Sequence, residues 1–210
     1  MKTIHEALMW RAAIKEYNKE AKLTEEDVNY LLDVVRMAPS SYGLQPYKLI
    51  LVSDTDVREK LRVASYNQAQ VTDASHFVVF ASRTNENEND VKEYVERIVK
   101  ERGITEESLA GYADMMNGAL SFMSEEMKAS WAAKQAYLGL GFMLIAAALH
   151  EIDASPMEGF DKSAYDEILS LKESGYTVAV ICALGKRVEN EKYTEIKKIR
   201  KSKEKFIMTI

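Results

Sequence analysis

Hydrophobic positions along the chain follow two rhythms. Three short runs, Tyr47–Ser53, Phe77–Ser82 and Tyr176–Leu184, are rich in branched and aromatic residues and bounded by turn or charged residues. Each has the length of a buried strand. Elsewhere the spacing is helical. Thr24 ahead of Glu25, Glu26 and Asp27 reads as an N-cap followed by acidic first-turn residues, which complement the helix dipole. This pattern predicts a helix through Leu31, Leu32, Val35 and Met37 that stops before Pro39, because a residue preceding proline is pushed out of helical conformation. Ser130–Leu149 predicts a long buried helix in which Gly139 and Gly141 admit another backbone. Asp161 is placed to cap a shorter helix through Leu169, and the charge-rich stretch Asn85–Arg102 reads as a solvated excursion.

Helices outnumber the widely separated strands, so the chain reads as α+β with a helix-covered central sheet. The last segment stands apart. Lys197, Lys198, Arg200, Lys201, Lys203 and Lys205 form a basic stretch, followed by the strand-like tail Phe206–Ile210. That tail has no neighbour in sequence to pair with, which leaves a distant edge of its own sheet or another subunit.

Composition narrows the class. The chain has 210 residues, 47% hydrophobic and 29% charged, the make-up of a single globular domain spanning 1–210 with a full core. A net charge of -5 and a pI near 5.4 argue against a nucleic-acid partner. The single cysteine, Cys182, lies in an apolar run and reads as a buried small hydrophobe. The N-terminus, Met1-Lys2-Thr3-Ile4-His5-Glu6, lacks the apolar core of a signal peptide. The longest uncharged apolar run, Ala136–Leu149, is too short to span a bilayer. A cytoplasmic protein without membrane partners is the resulting expectation.

Motifs with self-contained chemistry are missing. There is no phosphate-binding lysine loop, no dinucleotide glycine fingerprint and no nucleophile elbow. His5, His76 and His150 are scattered without metal spacing. Difficult chemistry here would belong to an organic cofactor, and four segments could hold one. Arg11-Ala12-Ala13-Ile14-Lys15 carries two cations four apart, which read alone make an ordinary solvated helix face. Pro39-Ser40-Ser41 through Tyr47 is a polar loop fixed by two prolines and suited to hydrogen bonding. Pro156-Met157-Glu158-Gly159 ends in a glycine that permits close approach of a flat ligand. Lys198 and Arg200 alternate and could point together at a phosphate.

Taken in order, Arg11–Lys15, Ala38-Pro-Ser-Ser-x-x-x-Gln-Pro-Tyr47, Asp73-Ala-Ser-His76, Trp131-Ala-Ala-Lys-Gln-Ala-Tyr-Leu138, Pro156-Met-Glu-Gly-Phe160 and Lys198-x-Arg200 resemble the FMN-dependent nitroreductase family. The likeness is to its oxygen-insensitive NAD(P)H nitroreductase and dihydropteridine reductase group, and it covers essentially the whole chain. It implies a mainly antiparallel sheet covered by helices, a C-terminal strand exchanged with a homodimer partner, and FMN between subunits. It also implies hydride transfer from NAD(P)H to nitroaromatic or quinone acceptors by an alternating mechanism, with no catalytic side chain and no metal.

By the same resemblance Arg11, Lys198 and Arg200 bind the phosphate, with Ala12 and Ala13 alongside, and Lys15, Asn67 and Gln70 meet the pyrimidine edge of the ring. Pro156, Met157, Glu158 and Gly159 cover one ring face, with the Glu158 N–H at N5, while Pro39, Ser40 and Ser41 come from the other subunit. The chain departs from the pattern where Ala13 replaces a serine, Gly43 an asparagine and Gln70 a lysine. With Lys15 the only charge at that edge, the flavin potential should be less positive than in a relative with two lysines. Tyr112–Met127, the expected lid, aligns poorly and leaves substrate preference open, so the alternatives are another flavin chemistry such as enone reduction or dehalogenation, or a flavin-binding or regulatory protein without turnover.

Overall fold

Four strands, β1 (Tyr47–Leu51), β2 (His76–Arg83), β3 (Asp153–Met157) and β4 (Tyr176–Gly185), form one sheet in the order β1-β2-β4-β3. Every neighbouring pair is antiparallel. The computed structural model describes residues 2–210, so Met1 of the polar N-terminus lies outside the described residues.

The alternation of side chains across a strand divides the core in two. Phe77, Val79 and Ala81 enter one hydrophobic cluster, and Val78 and Phe80 enter the other. In β4 the register shifts opposite Phe80 and Ala81, leaving Ala179 unpaired. This bulge explains why Val178 and Ile181 share a face although they are three residues apart.

The first face is covered by α3 (Thr55–Ala64), the short α4 (Gln70–Asp73) and α8 (Lys162–Ile168), which bring in buried Leu61, Val71 and Tyr165. The second is covered by α2 (Glu25–Arg36) and α7 (Glu125–Leu149), through Leu31, Val35, Ala136, Leu140 and Met143. Each large buried side chain contributes roughly 1.5–3 kcal/mol. A third cluster joins Leu44 to Val91 and Val95 of α5 (Glu88–Arg102) and to Met116 and Leu120 of α6 (Ala110–Ser121).

The expected helix ends are present: Thr24 forms a capping box with Asp27, α2 ends at Met37, and Asp161 accepts from the Ala164 N–H. Other segments differ from their sequence reading. Asn85–Arg102 is largely the amphipathic helix α5, which buries Val91, Val95 and Ile98; their spacing was masked by the surrounding charges. Helix α7 starts at Glu125, where Ser124 accepts from the Met127 N–H. By length and composition α7 could cross a bilayer, but here it lies along the sheet beside α2. Side chains, not a backbone, approach Gly139: a Cβ there would lie 2.7 Å from the Tyr47 Oη, whereas Gly141 meets nothing within 4 Å.

Strand β3 lacks the branched and aromatic run that marks the other three strands, since its five residues include Asp153 and Pro156. It is an edge strand, where Pro156 removes no required ladder bond. At the C-terminus α9 (Lys203–Phe206) is a single short helix, and Ile207–Ile210 are exposed and unpaired.

Just before α5, Glu86 is only 3% exposed and its Oε2 lacks a hydrogen-bond partner. Burial, with Asp90 close by, raises its carboxyl from 4.5 to about 8, against the opposing pull of Arg83. The folded protein therefore holds this proton while the unfolded chain releases it, and stability falls as pH climbs from about 4.5 toward 8. Glu86→Gln should match wild type in urea midpoint at pH 4 and exceed it at pH 9. An equal difference at both pH values would contradict the assignment.

Candidate functional site

The chain's opening residues, the β3 edge and the segment after β4 meet at one end of the sheet. Helix α1 (Ile4–Trp10) is nucleated by a Thr3–Glu6 capping box and ends at Arg11, whose φ of -61° and ψ of 141° are extended. The expected helix face over Arg11–Lys15 is therefore absent. These residues run extended, with Ala12 and Ile14 buried and Ala13 and Lys15 exposed. Tertiary pairing holds them: the Ser155 hydroxyl donates to the Ile14 carbonyl at 2.7 Å, and Tyr17 forms an antiparallel bridge with Arg187.

Four cations gather beside this run. Arg187 donates from Nε to both oxygens of buried Asp153, at 2.9 and 3.0 Å, and stacks over Trp10 at 4.3 Å. Its charge is thereby answered. Lys198 donates from Nζ to the Met9 carbonyl at 2.6 Å, a neutral acceptor. Burial, then the neighbouring charges of Arg11, Arg200 and Arg187, hold the Lys198 ammonium below its usual range. Burial and Arg200 do the same to Arg11, and no carboxylate among the described residues opposes either shift. The Arg11 Nε is buried without a partner. Desolvated like charges are unfavourable together, so the arrangement is matched to an anion with several acceptor oxygens.

A second group lies around the turn after β3. Pro156 and Met157 end the edge strand, and Glu158 and Gly159 follow it exposed. The Gly159 carbonyl accepts from Gln68 Nε2 at 2.7 Å, and Asp161 N–H donates to the Ala64 carbonyl at 2.8 Å. These bonds bring residues 67–70 beside 156–159. Asn67 follows Tyr66 in left-handed backbone, with φ of 58° and 54°, a conformation asparagine tolerates and tyrosine rarely adopts.

Gln70 is buried at 4% exposure, and its Nε2 has no partner, leaving a donor for a ligand carbonyl. Arg58 fixes this region by donating to the Val71 and Ala74 carbonyls at 2.8 and 2.6 Å. Sequence reading missed Arg58, whose signal is an arginine on the buried face of an otherwise solvated helix.

Pro39, Ser40 and Ser41 do not join these groups. The Ser41 N–H donates to Gln135 Oε1 at 2.9 Å, whereas Tyr137, two residues on along α7, bonds Glu158. Two residues are about 200° around a helix, so the serine loop and the Glu158 turn sit on opposite faces of α7. Cys182 is fully buried in β4, and burial pushes its thiol up to about 12, in keeping with a packing role.

Comparison with known proteins decides the class. The model of the nitroreductase family matches residues 8–186. The chain belongs to the nitroreductase family. A Staphylococcus haemolyticus relative bearing the name Putative NAD(P)H nitroreductase is 35% identical over 202 residues, which is 90% of this chain and 91% of the relative. Among solved structures, ydfN of Bacillus subtilis superposes with a TM-score of 0.88 at 22% identity, covering 98% of each chain. A nitroreductase-like structure from Exiguobacterium sibiricum, solved in complex with FMN, gives 0.85 at 17% identity over 100% of this chain and 98% of its own. These two establish the nitroreductase fold, and family membership makes the protein an oxidoreductase.

Because Arg11 is desolvated among like charges, Arg11→Met should leave the ligand-free protein as stable or more stable, by up to about 1 kcal/mol. Inorganic phosphate should raise the melting temperature of wild type and not of the variant. Marked destabilisation of ligand-free Arg11→Met, measured by urea unfolding, would contradict the reading.

Proposed function

We propose that residues 1–210 form one FMN-binding domain that works as a homodimeric NAD(P)H oxidoreductase. The observation that carries this reading is the convergence of Arg11, Lys198 and Arg200 without a balancing carboxylate. A dianionic phosphate monoester suits that cluster, and the unpartnered Gln70 amide suits a carbonyl-bearing ring edge. The residues present thus fit FMN at two chemically different ends.

In this reading Arg11, Lys198 and Arg200 hold the phosphate, and the extended backbone at Ala12 and Ala13 lines its approach. Lys15, Asn67 and Gln70 meet the pyrimidine edge, where the Lys15 ammonium offsets negative charge that gathers on reduction. Pro156, Met157, Glu158 and Gly159 cover one ring face. The Glu158 N–H is available to donate, since no acceptor among the described residues takes it. FMN held by these residues would supply the redox chemistry, linking oxidation of NAD(P)H to reduction of a nitroaromatic or quinone. The chain leaves the opposite ring face to one planar molecule at a time and holds it near contact distance.

Homodimerisation is supported by placement. The serine loop at Pro39–Ser41 lies across α7 from the Glu158 turn and reaches such a site only from a second copy. Exposed apolar residues on α1 (Ile4, Leu8, Met9) and α7 (Leu138, Phe142), two helices packed together, give that copy a surface to cover. The exposed tail Ile207–Ile210 supplies a strand for exchange.

Steady-state oxidation of NADH or NADPH, measured at several fixed quinone concentrations, tests the proposal. Parallel double-reciprocal lines are expected, because donor and acceptor occupy the same space in turn. Intersecting lines would overturn the alternating mechanism, and absence of oxidation with either nucleotide would overturn the activity.

A further inference from the structure

The turn Glu158–Gly159 is held from two sides. Gln68 grips the Gly159 carbonyl. From the other side Tyr137 of α7 donates its phenol to Glu158 Oε1 at 2.5 Å, a short bond of the charge-assisted kind. The same hydroxyl lies 3.5 Å from the Ala179 carbonyl, and Ala179 is the bulged residue of β4. A bulge turns its residue out of the ladder, and such irregularities collect beside functional sites. Tyr137 therefore links three elements, α7, β4 and the turn after β3. It also lines a cavity of about 480 Å³ with Leu140, Gly141, Pro156, Glu158 and Val180.

Between the two grips the Glu158 and Gly159 N–H groups meet no acceptor among the described residues. Two adjacent free donors on a turn fixed at both ends form a preorganised edge; without the fixing, an exposed turn would sample many orientations. Burial, then the Glu158 carboxylate, push the Tyr137 phenol up to about 12, so it remains a donor throughout the neutral range.

We propose that Tyr137 is a positioning residue that sets the orientation of the Glu158–Gly159 N–H groups toward the flavin ring by holding the Glu158 carboxylate. This rests on the flavin-binding reading of the site. Tyr137 touches neither donor nor acceptor substrate in this role; it acts through Glu158.

The test compares wild type, Tyr137→Phe, Glu158→Ala and the double variant. FMN dissociation constants and the position of the bound flavin's visible band are measured, with urea unfolding of each apoprotein. A charge-assisted bond, discounted for partial exposure, corresponds to roughly 3- to 10-fold weaker FMN binding in Tyr137→Phe. A shifted flavin band and an unchanged apoprotein midpoint should accompany it. The double variant should be no worse than the weaker single one, because both remove the same interaction.

Unchanged affinity and spectrum in Tyr137→Phe, or losses that add in the double variant, would overturn the proposal. Should Tyr137→Phe destabilise the apoprotein, Glu158→Ala alone decides: unchanged affinity and band position there overturn it equally. Wild type that binds no FMN would instead overturn the proposed function, so the two failures are distinguishable.

Discussion

The long-range ladder between β2 and β4 is the constraint on which the other arrangements rest. It pairs His76–Arg83 with Tyr176–Leu184, segments about a hundred residues apart in the chain. Both faces are buried, so neither strand can slip without moving one apolar set into the other layer. The bulge at Ala179 changes which residues face each layer, and the edge strand β3 then follows β4. Once β3 is in place, the buried Asp153 draws Arg187 and the Ser155 hydroxyl draws the Ile14 carbonyl. Residues 2–17 and the segment leaving β4 are thus brought to the same end of the sheet, and the cations meet there as a consequence of topology.

That meeting is electrostatically unfavourable for the chain alone. Asp153 neutralises Arg187, but Arg11, Lys198 and Arg200 have no carboxylate to answer them. A guanidinium desolvated as that of Arg11 is, beside the like charges of half-buried Lys198 and exposed Arg200, is retained only where something else compensates. The phosphate of the proposed cofactor would supply that compensation. The orphaned Gln70 amide and the free N–H groups of the Glu158 turn extend the same argument from a phosphate to a ring.

Much of the fold was legible in the sequence. The runs at Tyr47, Phe77 and Tyr176 are strands, and Thr24 and Asp161 cap helices as their side-chain chemistry requires. β3 was hidden because an edge strand tolerates Pro156 and takes its order from β4 rather than from its own residues. The helix α5 was hidden because charges outnumber the three buried aliphatics that define its face. The extended course of Arg11–Lys15 was illegible because α1 stops at a boundary set by tertiary bonds to Ser155 and Arg187. The site residues were named from ordered motifs, and the structure brings Arg11, Lys198 and Arg200 together while leaving Pro39–Ser41 across α7. Arg58 and Tyr137 went unread, since their roles exist only once distant backbone and carboxylate partners are in place.

The central claim concerns the cofactor and the reductive step, and one spectrum addresses both. The purified protein, reconstituted with FMN where needed, is examined by visible absorption before and after anaerobic addition of NADH or NADPH. The account predicts a bound-flavin band that bleaches with at least one of the two nucleotides. A protein that takes up no FMN would contradict it at the level of the site, and a bound flavin that neither nucleotide bleaches would contradict the chemistry.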